Sequence, residues 1–241
     1  MRCVIVIPAR MGSTRFPGKP LADLCGKPMV QWVFEAAMRA DVAEKVVIAT
    51  PDVEILDACQ AFGAEGVLTS HEAPTGTDRI AEVADKLVAD VYVNVQGDEP
   101  LIFPETIAAC AQPMLDRPEL EMSSVYTSAT PDEWDQPAVV KVVTDREGFA
   151  LYFSRYPIPF PRAERRSPVK KHVGVYAYRR EALRRFSTWP QADIEVSESL
   201  EQLRFLDRGV RIFMAEAPGT ELAVDTPEQA EEVRRILAAR A

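Results

Sequence analysis

The chain has 241 residues, 47% of them hydrophobic, and a formal net charge of −9 at pH 7. That length and apolar content suit one compact domain with a sizeable core, and the acidic balance argues against a general nucleic-acid binder, because a polyanion would be repelled over most of the surface. Four cysteines without CxxC spacing, only two histidines, no signal peptide and no long apolar run argue against a disulfide framework, a zinc site and a membrane span. They point instead to a reducing cytoplasmic compartment and buried, inert thiols.

RCVIVIP predicts a buried first strand. It runs into PARMGSTRFPGKP, Pro8 to Pro20, which gathers Arg10, Arg15 and Lys19 among glycines, prolines and small residues. Such a loop leaves backbone N–H groups free to turn toward a ligand and lets a phosphate approach closely. It reads as a seat for a small anion. A solvated turn whose cations pair with surface carboxylates is the competing reading. Neither GxxxxGK[ST] nor GxGxxG is present, so this is not a Walker A or dinucleotide loop.

A helix follows from Met29 to Ala40, then the strand KVVIAT and a helix from Ile55 to Phe62. TGTDR, Thr75 to Arg79, stands ahead of a helix from Ile80 to Val88; its hydroxyls, glycine and arginine suit either a base or ribose contact or ordinary capping. VYVNV is the next strand and opens into QGDEP, Gln96 to Pro100, where Asp98 follows Gly97 and can reach into a crevice without a bulky neighbour. Strand, helix and strand in succession imply right-handed crossovers and a mainly parallel α/β sheet with helices on both faces. In such sheets ligands bind at the carboxyl ends of the strands, so the basic loop and QGDEP face one site.

Strands are also expected at Glu121 to Thr127 and Val139 to Thr144. YPIPFPRAERRSPVKK, Tyr156 to Lys171, is too rich in proline and charge for a helix and reads as an exposed excursion before the strand HVGVYAYR. Helices at Arg180 to Phe186 and Ser197 to Arg208, a strand at Val210 to Ala215 and a closing helix from Thr226 complete the pattern. No repeat or linker divides the chain, so residues 1–241 read as a single domain. At the last junction, AVDTPEQ places Asp225 where it either caps the helix, with Pro227 in the first turn, or joins Asp98 in holding Mg²⁺ together with phosphate oxygens.

Taken in order, PARMGSTRFPGKPL, TGTDR, VNVQGDEPLI, ALYFSRYPIPF, KHVGVYAYR, LEQLR and VDTPE resemble the 3-deoxy-manno-octulosonate (Kdo) cytidylyltransferases over nearly the whole chain. FSR, HVGVYAYR and LEQLR are the specific pieces, since the first loop recurs throughout sugar nucleotidyltransferases. The resemblance implies a Rossmann-like nucleotidyltransferase fold, Mg²⁺ dependence, and a homodimer with an excursion around residues 150–180 used for sugar binding and dimer contact. It also implies transfer of CMP from CTP to a 3-deoxy-2-ulosonic acid for lipopolysaccharide biosynthesis.

By the same resemblance Pro8, Ala9, Ser13, Arg15 and Gly97 belong to the nucleotide site, and Arg10 and Lys19 meet the triphosphate. Thr75, Gly76 and Arg79 hold the cytidine, and Asp98 and Asp225 bind Mg²⁺. Gln96, Arg155, His172, Tyr176, Glu201 and Gln202 surround the acidic sugar. Arg155 has the planar fork for a carboxylate, and the others exchange hydrogen bonds with hydroxyls. Without the resemblance, Tyr176 reads as a core aromatic, Glu201 as a solvated partner of Arg204, and His172 as surface. The family commonly has a glycine where this chain has Ala223, which predicts a different path for the loop carrying Asp225. SPVKKHVGVYAYR is also similar to relatives that activate the 8-amino analogue of Kdo. Sialic acid activation, or nucleotide binding without turnover, are the further alternatives.

Overall fold

The computed structural model describes residues 1–164, 168–220 and 222–240. In chain order its strands are β1 (Cys3–Pro8), β2 (Asp23–Leu24), β3 (Lys27–Pro28), β4 (Lys45–Thr50), β5 (Glu65–Leu68), β6 (Val91–Asn94), β7 (Met122–Ser128), β8 (Lys141–Thr144), β9 (Ala150–Ser154), β10 (Lys170–Arg179) and β11 (Ile212–Glu216). The helices are α1 (Met29–Arg39), α2 (Val53–Ala61), α3 (Gly76–Lys86), α4 (Pro104–Asp116), α5 (Arg180–Phe186), α6 (Asp193–Glu198), α7 (Gln202–Asp207) and α8 (Pro227–Ala238).

The main sheet runs β11-β7-β10-β6-β1-β4-β5, with β8 and β9 added beside β10. β6, β1, β4 and β5 pair in parallel, as do β7 and β11. β10 is antiparallel to both β6 and β7, so the sheet is mixed around a parallel core. From β1 the chain crosses to β4 and β5 on one side, then returns to β6 on the other. The order therefore reverses between β1 and β6, and a crevice opens beyond their carboxyl ends.

Alternation along β1 builds both layers of core, as a doubly covered strand requires. Cys3, Ile5 and Ile7 pack with Val30, Val33 and Ile107 on one face, while Val4 and Val6 pack with Ile80, Val83 and Leu183 on the other. A third cluster joins Leu24, Met29 and Leu101 to Val224, Val233 and Leu237, laying α8 over the short β2–β3 hairpin.

Several expectations need correction. The helix expected over Ser197–Arg208 is two helices, parted at Ser199, whose backbone is left-handed with φ 52°. α3 starts four residues earlier than expected because the Thr75 side chain accepts from the Asp78 N–H and caps it. α4, with Pro113 inside it, and the strands β5 and β9 were not legible as elements. The excursion from Tyr156 is irregular up to β10 where described; Arg165, Arg166 and Ser167 lie outside the described residues. Of the thiols Cys3, Cys59 and Cys110 are buried, but Cys25 is exposed in the hairpin. Among the described residues no helix is long and apolar enough to cross a membrane.

Candidate active site

The loop after β1 is held from several sides. Ala9 N–H donates to the Ala49 carbonyl, Met11 N–H to the Asp52 carboxylate at 2.7 Å, and Gly18 N–H returns to the Met11 carbonyl. Gly18 has φ 71°, a left-handed turn that lets the chain enter the short 3-10 segment Lys19–Leu21. On the neighbouring strand end Gly97 is required by close approach, because a Cβ there would lie 2.7 Å from the Pro8 carbonyl oxygen. The two loops thus meet at backbone distance.

Between them and the start of α3 lies a cavity of about 410 Å³. Its walls include Pro8, Ala9, Arg10, Ser13, Arg15 and Lys19 from the first loop, Thr75, Gly76 and Arg79 from α3, and Gln96, Gly97 and Asp98 from QGDEP, with Glu201 and Asp225. Every residue that the resemblance gives to the nucleotide is therefore in one place, although β1, α3, β6 and the α8 junction are far apart in sequence. Thr14, Pro20, Met29 and Pro74 also line it. They were overlooked because proline and methionine carry no chemistry-bearing signal.

Charge is concentrated at the carboxylate end. Lys19 Nζ lies 2.8 Å from Asp98 Oδ2 and 3.2 Å from Asp225 Oδ1, and Arg15 adds a 3.0 Å contact to the same Asp225 oxygen. The capping reading of Asp225 is overturned. Thr226 caps α8, its hydroxyl accepting from the Gln229 N–H, while the Gln229 side chain accepts from the Asp225 and Thr226 N–H groups. That leaves the Asp225 carboxylate facing the cavity. Val224 N–H donates to the Asp98 carbonyl at 2.8 Å, so the loop with Ala223 in place of glycine still brings the two acids together. No third acid, histidine or cysteine joins them in a metal-binding group among the described residues.

At the α3 end Arg79 is buried, its guanidinium donating to the Thr69 hydroxyl and, at 3.0 Å, to the Ser70 carbonyl. Burial pulls its pKa down, with Glu82 opposing. Glu201 pairs with the Thr77 hydroxyl at 2.8 Å, and burial holds its carboxyl above the ordinary range. It is not the solvated partner of Arg204, which instead forms a buried ion pair with Glu195 at 2.7 Å.

The remaining sugar candidates lie along β10 and α7, outside the cavity wall. His172 is buried, not surface, with its ring edge-on to Phe153 at 4.9 Å and tilted against Tyr176 at 5.3 Å. Ser124 spends its single proton on the Val175 carbonyl, so the 2.9 Å contact between Ser124 Oγ and His172 Nε2 requires the imidazole to donate. His172 Nδ1 is then the free acceptor. Burial without a counter-charge lowers its pKa to about 3, keeping the ring neutral. Tyr176 donates to Gln202 Oε1 at 3.2 Å, and burial raises the phenol pKa well above its usual value. Gln96, at the cavity wall, donates to Asn94 Oδ1.

Arg155 stands apart from this group. Its guanidinium donates to the carbonyls of Glu198 at 2.8 Å, Pro137 at 3.1 Å and Ser199 at 3.4 Å, while Glu198 accepts from the Ser154 hydroxyl and Arg155 N–H. The fork expected for a sugar carboxylate is occupied by the α6–α7 turn.

The family profile described as Cytidylyltransferase matches residues 4–212. A 3-deoxy-manno-octulosonate cytidylyltransferase of Escherichia coli is 45% identical over 237 residues, covering 98% of this chain and 96% of the relative. One of Pseudomonas syringae pv. syringae is 50% identical, with 97% of each chain covered. The solved structure of a CMP:2-keto-3-deoxy-manno-octonic acid synthetase complexed with CTP superposes over all of both chains with a TM-score of 0.97 at 44% identity. The fold is accordingly the Rossmann-like nucleotidyltransferase fold. Identity at this level along the full length places the chain in the 3-deoxy-manno-octulosonate cytidylyltransferase family.

Proposed function

We propose that the protein transfers CMP from CTP to the anomeric 2-hydroxyl of 3-deoxy-manno-octulosonate and releases pyrophosphate. The observation that carries this reading is the convergence of a basic glycine-proline loop, a helix N-terminus and two carboxylates on one cavity. The hydroxyl oxygen bonds to the α-phosphorus as the bond to the β-phosphate bridging oxygen breaks, and the hydroxyl proton is released. Arg10, Arg15 and Lys19 line the wall where the triphosphate is most anionic and offset charge growing on the leaving group. The N-terminus of α3 and Arg79 bound the opposite end, where the base and ribose fit.

The donor set suits Mg²⁺, which is content with one or two carboxylates and completes its shell with water and phosphate oxygens. Asp98 and Asp225 already share a cation, the Lys19 ammonium, and no third acidic ligand crowds them among the described residues. Bound there, the ion supplies charge neutralisation and polarises the phosphate under attack. The sugar lies beside Gln96 and Glu201, toward His172, Tyr176 and Gln202. The free Nδ1 of His172 accepts a hydroxyl, the ring being held neutral by burial. Arg155 meets the sugar carboxylate only by giving up its backbone carbonyls.

We place the enzyme in the cytoplasm as a homodimer. Four free cysteines, three of them buried, suit a reducing compartment. Tyr156 at 70% and Phe160 at 74% exposure, with Leu151 and Val196, provide apolar surface for a second copy. The deciding assay is pyrophosphate release from CTP and Mg²⁺ with Kdo, its 8-amino analogue and sialic acid in parallel. Turnover with Kdo is expected. Release with none of the three overturns the reading, and release with only the 8-amino or sialic substrate reassigns the sugar.

A further inference from the structure

Glu99 plays no part in the site described so far. It follows Asp98, its backbone fixed by Glu99 N–H to the Gln96 carbonyl and by Ile102 N–H to its own carbonyl. Only 8% of the residue is exposed, and its Oε2 is a buried oxygen with no hydrogen-bond partner. The Thr220 hydroxyl adjoins this carboxyl and favours its ionised form, and the other oxygen, Oε1, is the one turned toward β10. Buried polar groups are almost always fully paired, so a carboxyl with so little support in a fixed turn calls for a reason.

The surroundings supply one. Opposite Glu99 stands Gly174 of β10, where an added Cβ would meet Glu99 Oε1 at 3.8 Å and Gln96 Cγ at 3.9 Å. Those are ordinary contacts, and the backbone at Gly174 is not left-handed, so neither crowding at Cβ nor conformation demands glycine. What the missing side chain leaves is space between a carboxylate and a glutamine. β10 shifts register between Val173 and Tyr176, and from Tyr176 the hydroxyl reaches Gln202 Oε1, leaving Gln202 Nε2 as a second buried atom without a partner. One stretch of β10, Gly174 to Tyr176, therefore adjoins both an acceptor, Glu99 Oε1, and a spare donor, Gln202 Nε2. A polyhydroxylated ligand satisfies the two at once, since each hydroxyl donates and accepts.

We propose that Glu99 is a specificity-determining residue of the sugar site, its Oε1 accepting a hydroxyl of the acidic sugar in the space that Gly174 leaves beside Gln96. This rests on the reading that an acidic sugar binds along β10.

Two variants and a set of substrate analogues test it. Glu99→Gln keeps shape and removes the charged acceptor; Gly174→Val fills the space from the opposite strand and suits β geometry. Each is compared with wild type for sugar KM in steady state and for CTP affinity by calorimetry without sugar. The proposal expects sugar KM to rise about tenfold to a hundredfold in both, the loss of a hydrogen bond to a charged group, with CTP affinity unchanged. Singly deoxygenated sugars add a signature that a structural role would not move: one analogue should be poor for wild type and no worse than the parent sugar for Glu99→Gln. Unchanged sugar KM in the folded variants overturns the proposal, as does a penalty for every deoxy analogue that is the same in wild type and Glu99→Gln. If Glu99→Gln does not fold, Gly174→Val alone decides, by raising or sparing sugar KM. Wild-type inactivity with every acidic sugar would overturn the underlying function instead, a distinguishable result.

Discussion

Lys19 is the residue on which the site's electrostatics turn. Its ammonium sits between carboxylates that approach it from positions 79 and 206 residues away, and the triphosphate competes with both for it. Lys19→Ala should cost about 2–4 kcal/mol of transition-state stabilisation, read as a fall in kcat/KM of about one and a half to three orders. The fold should survive, since the backbone bonds of Ala9, Met11 and Gly18 hold the loop without the Lys19 ammonium, whose partners are the two cavity carboxylates; wild-type turnover in a folded variant would remove Lys19 from the triphosphate. Arg155 predicts a different profile. Because its guanidinium bridges three backbone carbonyls, Arg155→Ala should lower stability by about 2 kcal/mol in denaturant unfolding. CTP affinity measured by calorimetry on the folded variant should remain, and a matched loss for CTP and sugar would mean that the turn it clamps serves both. His172 carries a pH signature. Its folded pKa of about 3 lies below the ordinary value of 6.5, so the unfolded chain binds a proton that the folded chain refuses. Its contribution to stability is complete above about pH 6.5 and is lost progressively as pH falls toward 3. NMR should show the His172 ring not titrating between pH 8 and 4.5, and His172→Gln should flatten the acid limb of the stability profile.

At the level of elements, the decisive local arrangement is the start of α8. A run such as Asp-Thr-Pro offers two capping residues, and which one caps decides whether the other is available for chemistry. Thr226 takes the cap, so Thr226→Ala should cost about 1 kcal/mol of stability and also lower activity by loosening Asp225. Asp225→Asn should leave thermal unfolding nearly unchanged while turnover collapses. This junction also shows what could be read from sequence. The parallel core was legible because β1, β4 and β6 are apolar runs, and the loops of unusual composition after β1 and β6 hold many of the residues that line the cavity. The break at Ser199 was not legible, because a left-handed serine leaves no mark in hydrophobic periodicity, so Ser197–Arg208 read as one helix. Without the resemblance His172 reads as surface because two lysines precede it; β10 turns that ring inward against Phe153 and Tyr176. Glu99 was passed over beside Asp98, since burial is a tertiary property that a short motif does not display.

For the whole molecule, the exposed apolar set around the excursion predicts association. Light scattering at assay concentration should give twice the mass of the chain, and Phe160→Asp should shift it toward monomer; a monomer mass for the unaltered protein would refute the dimer. The sheet itself does not depend on that contact, because both of its faces are already covered by helices within one chain.

The hydrogen bond from Val224 to the Asp98 carbonyl, together with α8 lying over Leu24, Met29 and Leu101, joins the last segment of the chain to the first. The strands from β1 to β11 all precede Asp225 in the chain. The sheet can thus be complete in a chain that still lacks one of the two acids, and chemistry switches on only when the segment carrying Asp225 and α8 docks. Expressing residues 1–216 should yield a protease-resistant but inactive protein, and supplying residues 217–241 as a separate peptide should restore pyrophosphate release; a 1–216 chain that turns over unaided would refute this.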